Sequence, residues 1–87
     1  MPRVFLTRSA RQALVRLEAP LADAVVEALD DLRHDLVAGS ELRGRLRGLY
    51  SLRVGAYRVI YETRKDGTVR VLAIRHRASA YGADPRG

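Results

Sequence analysis

Between residues 10 and 36 apolar side chains recur at intervals of three and four: Ala10, Ala13, Leu14 and Leu17 first, then Leu21, Ala24, Val25, Ala28, Leu29, Leu32 and Leu36. That spacing predicts two amphipathic helices. Thr7 or Ser9 can cap the first, with Ser9-Ala10-Arg11-Gln12 fitting a capping box. Pro20 suits the first turn of the second, and Gly39 offers its stop. Asp23, Glu27, Asp30, Asp31 and Asp35 take the polar face, so the two helices read as an antiparallel pair. Arg3 to Leu6 ahead of them reads as a short strand. Leu42 to Gly48, with three arginines and two glycines, reads as a basic loop with room for an edge strand at its start. From Leu49 onward the period changes to two, the mark of half-buried strands.

Two turn signals set the register of those strands. Gly55-Ala56 suits a two-residue type II′ turn, which pairs Val54 with Tyr57, Arg53 with Arg58 and Ser51 with Ile60. Asp66-Gly67 suits a type I′ turn, which pairs Lys65 with Thr68 and, counted back, Ile60 with Ala73 and Arg58 with Arg75. Arg53, Arg58 and Arg75 then form a row across three strands. Parity sends Leu52, Val54, Tyr57, Val59, Tyr61, Leu72 and Ile74 to the face the helices cover. The row shares the opposite, open face with Ser51, Ile60, Glu62, Val71, Ala73 and Arg77. Like charges directly opposite destabilise a sheet by up to about 1 kcal/mol per pair, so the row makes sense with a polyanion on it. The architecture expected is α+β, in the order β-α-α-β-β-β, with an antiparallel sheet and both helices on one face. Residues 1–81 form one domain; residues 82–87 lack the pattern of an element and read as a mobile tail.

Composition sharpens the choice of partner. Net charge is +6, but residues 1–40 carry five arginines against six acids, and residues 41–87 carry ten arginines and a lysine against four acids. The second half holds the whole excess. Fifteen of the sixteen basic residues are arginine, whose planar fork binds phosphate bidentately and stacks on bases. With no cysteine, thiolate metal sites, thiol nucleophiles and disulfides are excluded. No run is long enough for a signal peptide or a membrane span, and the chain reads as soluble and cytoplasmic. Metal-ligand spacing, a Walker loop and a nucleophile elbow are likewise absent from the sequence.

The run Gly48-Leu-Tyr-Ser-Leu-Arg-Val-Gly-Ala-Tyr-Arg-Val-Ile-Tyr-Glu62 and the segment Arg75-His-Arg-Ala-Ser-Ala-Tyr81 resemble the RelE branch of the RelE/ParE toxin superfamily, from bacterial toxin and antitoxin pairs. The resemblance extends in outline over the whole chain. It implies a ribosome-dependent endoribonuclease that enters the A site and cuts mRNA by attack of a 2′-hydroxyl on the adjacent phosphate, with no metal or other cofactor. It also implies a cognate antitoxin whose helix wraps the toxin in a hetero-oligomer. Arg53 falls where the family stabilises charge on the phosphate, and Arg58 matches its arginine in the Tyr-Arg-Val-Ile-Tyr run. Arg75 matches its proposed general acid, and Tyr81 its tyrosine, proposed as general base or as a stacking platform. Ser51 stands where the best-known members carry a second lysine.

Tyrosine, with a pKa of about 10, and arginine, above about 12, are poorly matched to proton transfer near neutral pH. Electrostatic stabilisation of the phosphorane is therefore the larger role for the row. Arg43, Arg45 and Arg47 are assigned to ribosomal RNA phosphates, the alternative being a solvated loop, and Ser51 and Arg77 to substrate contact. The alternative for the row itself is a solvated or antitoxin-binding face. His76 alternates with its arginine neighbours and is expected to turn towards Tyr57 in a structural role unless a bulge reverses it. Glu62 is expected to form a salt bridge. Two rival functions stay open: a ParE-like toxin that acts on DNA gyrase without being an enzyme, and an inactive toxin that keeps only its antitoxin interface.

Overall fold

Thr7 makes the first corner of the chain. The computed structural model, which describes residues 3–35, 38–80 and 84–86, opens with strand β1 at Val4–Leu6 and helix α1 at Arg8–Arg16. Between them the Thr7 hydroxyl accepts the Ala10 amide at 3.2 Å. An N-cap oxygen satisfies one of the amides that a helix start leaves unpaired, so Thr7 is the cap and Ser9 lies inside α1. Helix α2 spans Ala19–Leu32 with Pro20 in its first turn. It stops well short of Gly39, and Leu36 lies outside the described residues. Gly39 has a different task. A Cβ there would stand 2.8 Å from the Ser51 carbonyl oxygen and 2.9 Å from the Tyr61 hydroxyl, and the Gly39 amide donates to that hydroxyl at 3.0 Å.

The sheet holds five strands, completed by β2 (Ser40–Glu41), β3 (Tyr50–Val54), β4 (Tyr57–Thr63) and β5 (Val69–His76), in the order β1-β5-β4-β3-β2. It is α+β as expected, with two departures. The short edge strand β2 precedes the basic loop, which instead contains a single 3₁₀ turn at Gly44–Leu46. The sheet is also mixed, because β1 runs parallel to β5, Val4 beside Val69 and Leu6 beside Val71. A parallel neighbour needs a crossover, and the helices provide its start by passing over one face.

The first hairpin has the register that the turn implies: Val54 pairs with Tyr57, Arg53 with Arg58 and Ser51 with Ile60. Gly55 has φ of +59° and Ala56 is not in the positive-φ region, as a type II′ turn requires. The second hairpin differs. Its loop has three residues, closed by Arg64 and Thr68: the Arg64 amide donates to the Thr68 carbonyl at 2.8 Å and the Gly67 amide to the Arg64 carbonyl at 2.9 Å. Lys65 is therefore in the loop and is not the partner of Thr68. The slip is undone further along, where β5 carries an extra residue: Tyr61 pairs with Val71 but Ile60 with Ala73. Leu72 is the bulged residue, and its carbonyl accepts the Thr7 hydroxyl at 2.9 Å.

The bulge exchanges two side chains between faces. Val71, expected on the open face, packs beneath the helices with Val25, Leu29, Leu32, Val59, Tyr61, Val69 and Ile74. Leu72, expected there, lies on the opposite face with Ile60 and Ala73. That opposite face is only partly open: Ile60, Leu72 and Ala73 are 0, 2 and 2% exposed, packed with Leu46 and Leu49, with Leu42 at the margin. The basic loop thus roofs the middle of the face and leaves its two ends.

Candidate functional site

At one end of that face Arg53, Arg58 and Arg75 are directly opposed across β3, β4 and β5. With strands about 4.8 Å apart, the outer two backbones are about 10 Å apart. Arg53 is exposed, and Arg58 and Arg75 are half-buried. Neither the Arg53 nor the Arg58 side chain has a hydrogen-bond or ion-pair partner among the described residues. Arg75 is held: its Nη1 donates to the Ala80 carbonyl at 3.2 Å, with Ala80 itself buried. That bond fixes the chain one residue before Tyr81, which lies outside the described residues. The arrangement offers two guanidinium groups unpaired among the described residues and a third of set position, suited to an anion carrying more than one charge.

The remaining residues assigned from sequence divide. Arg77 is exposed just past the end of β5, its amide donating to the Ala56 carbonyl at 2.8 Å across the strand ends. Arg43, Arg45 and Arg47 are exposed on the loop that roofs the centre of the face. Ser51 corrects the expectation of a contact on an open surface, for it is 4% exposed and the Gly39 approach crosses its carbonyl. His76 turns as parity required. Its ring meets that of Tyr57 edge-to-face at 5.4 Å and 82°, and its Nδ1 accepts the Ala78 amide at 3.2 Å, starting the turn that leads to Ala80. Glu62 makes the expected salt bridge, to Arg70 at 3.5 Å.

Arg86 is a contributor that local pattern could not reveal. Its fork donates to the Arg45 carbonyl at 2.6 Å and the Arg47 carbonyl at 3.5 Å, while Asp84 accepts from the same guanidinium at 3.1 Å. The described part of the tail therefore pins the basic loop. Its partners lie 41 and 39 residues away. The Arg86 hydrogen bonds hold the Asp84 carboxyl below its usual range. No group of three metal-ligating side chains comes together among the described residues, and no helix there is long and apolar enough to cross a membrane.

The model of one protein family matches this chain: the ParE toxin of type II toxin-antitoxin systems, parDE, over residues 4–81. The chain belongs to the RelE/ParE superfamily of type II toxins, on its RelE-like side. It is 41% identical over 81 residues to Toxin RelG of Mycobacterium tuberculosis, covering 90% of this chain and 93% of that one. Among solved structures, the RelBE2 toxin-antitoxin complex of M. tuberculosis includes a chain 38% identical, with TM-score 0.77 over 87% of this chain and 99% of that one. The RelE-RelB complex of the archaeon Pyrococcus horikoshii includes one 30% identical, with TM-score 0.74 over 91% and 98%.

Proposed function

We propose that this toxin is a ribosome-dependent endoribonuclease that cuts mRNA in the A site and so arrests translation in the cytoplasm. The observation that carries the reading is the row itself, since two of its three arginines stand opposed with no carboxylate among the described residues to neutralise them. In the reaction the 2′-hydroxyl loses its proton and bonds to the adjacent phosphorus. The bond from phosphorus to the 5′-oxygen breaks, that oxygen gains a proton, and a 2′,3′-cyclic phosphate and a 5′-hydroxyl result. Arg53, Arg58 and Arg75 face the phosphate, where negative charge grows. A guanidinium gives up its proton only above about pH 12, so the row works by charge rather than as a free acid. Tyr81, the residue after Ala80 in the sequence, is assigned the proton transfer from the 2′-hydroxyl or a stacking contact with the base. Arg43, Arg45, Arg47 and Arg77 hold RNA phosphates, and no metal takes part.

The partner is a cognate antitoxin, as in the RelBE2 and RelE-RelB complexes of its relatives, and an acidic amphipathic one suits the charge of +6. The test is cleavage of mRNA on programmed ribosomes, with the product ends analysed. Cutting should leave a 2′,3′-cyclic phosphate and a 5′-hydroxyl and stop when the cut nucleotide is 2′-deoxy; cleavage of the deoxy substrate would refute the mechanism. The ParE name of the matching family favours a second reading, a poison of DNA gyrase. Induction in cells separates the two, because gyrase-linked DNA breaks with intact mRNA would replace the nuclease reading.

A further inference from the structure

Phe5 is the one large apolar side chain among the described strand residues that is left half exposed, at 50%. It stands beside Arg70 of β5, and Arg70 stands opposite Glu62 of β4. Arg58, Ile60 and Glu62 alternate along β4, so Phe5 and Arg70 occupy the same face as the arginine row. They lie at its other end, four residues and about 13 Å along the strand, beyond the loop that roofs the middle. Phe5, Thr7, Arg8, Arg64, Asp66 and Arg70 are among the residues lining a cavity of about 490 Å³ there, within the range of small-ligand sites. Its two nearby carboxylates are already engaged: Glu62 by Arg70 at 3.5 Å, and Asp66 by the Thr68 amide and hydroxyl at 2.9 and 2.7 Å. Arg8 and Arg64 make no close ion pair among the described residues, although Arg64 adds to the Thr68 hydrogen bonds that hold the Asp66 carboxyl below its usual range.

We propose that Phe5, with Arg8, Arg64 and Arg70, forms a second RNA-contacting surface in which the ring stacks on an unpaired base and the guanidinium groups hold the flanking phosphates. The proposal takes its RNA from the nuclease reading above and adds a site to it. An exposed aromatic among cations is what sequence-tolerant single-strand binding uses, because every base has a π-face. The competing occupant is a protein segment, since Phe5 also borders an apolar groove with Leu14, Val26 and Leu29. Three arginines frame the ring on the cavity side, which favours the polyanion.

The experiment measures equilibrium binding of the purified toxin to mRNA-programmed ribosomes at several salt concentrations, beside single-turnover cleavage. Phe5→Leu keeps apolar bulk in β1 but removes the π-face; it should weaken ribosome affinity about ten-fold, with the cleavage rate restored at saturating ribosomes. Phe5→Tyr should bind as the wild type does. Arg70→Gln should lower the salt slope of binding by about 0.7 to 0.9. Unchanged affinity in Phe5→Leu, or a loss that Phe5→Tyr fails to rescue, overturns the proposal. So does a Phe5→Leu variant that binds ribosomes normally yet escapes its antitoxin in cells, which would assign the surface to the protein partner. A wild type that binds ribosomes without cutting mRNA would refute the nuclease reading alone, the affinities still deciding this one.

Discussion

Replacing Arg75 with alanine should remove activity and spare the fold. Two opposing terms bear on its effect on stability. The bond from Arg75 to the Ala80 carbonyl, at 3.2 Å, contributes about 0.5 to 1.5 kcal/mol. Against it stands the like-charge pairing with Arg58, whose removal returns up to about 1 kcal/mol. The net change is expected to stay within about 1 kcal/mol, which for a domain of this size is a Tm shift of about 4 to 8 °C. The catalytic effect is larger. Deleting a preorganised donor aimed at developing negative charge costs about 10² to 10³ in rate, or about 2.7 to 4 kcal/mol of barrier. Single-turnover cleavage of programmed ribosomes, read at saturating protein beside a thermal melt, separates the two. A slow chemical step with a Tm that moves by no more than about 4 to 8 °C is the expected result. Arg58→Ala, which gives up no side-chain hydrogen bond among the described residues, should match it in rate and melt at the wild-type temperature or above. Loss of activity only through unfolding would show that the face assignment is wrong. An Arg75→Ala variant rescued by saturation would show that the residue binds RNA and leaves the chemistry alone.

Neutralising Arg43, Arg45 and Arg47 together should weaken ribosome binding and reduce its salt slope by about 0.7 to 0.9 for each RNA phosphate left without its arginine. Saturating ribosomes should restore the rate, and a loop variant that binds normally but cuts slowly would contradict the division of roles. Tyr61→Phe strips the Gly39 amide of its acceptor and should cost about 1 to 3 kcal/mol near neutral pH. Burial raises the Tyr61 pKa above its ordinary 10.0, so its contribution to stability is complete below that value and is lost as pH rises through the higher folded one. Urea midpoints taken from pH 8 to pH 11 should fall more steeply at the alkaline end for the wild type than for the phenylalanine variant; parallel curves would refute the burial argument.

Much of the row was legible because it rests on short-range constraints. Gly55 in a two-residue turn and strict alternation place Arg53 opposite Arg58 from neighbours in sequence alone. The helix stripes likewise follow from a local period. Asp66-Gly67 shows where that reach ends, since the pair fits a two-residue or a three-residue loop about equally well. What decided between them was burial. The longer loop puts Val69 and Val71 beneath the helices, and the bulge at Leu72, tied to Thr7 from the other end of the chain, returns Ile74 to the same face. The expected pairing of Arg58 with Arg75 survived only because the loop and the bulge cancel.

Sequence by itself determined the two helices, the strand alternation, the first hairpin and the concentration of arginine in the second half, each a matter of residues within a few positions of one another. Tertiary structure alone decided the parallel docking of β1, the apolar roof over Ile60, Leu72 and Ala73, and the burial of Ser51. It also decided the Gly39 approach to Tyr61 and the grip of Arg86 on the basic loop. The physical reason is common to all of these. Each joins groups far apart in the chain, so the gain comes from excluding water and satisfying backbone polar groups between segments that no local preference brings together.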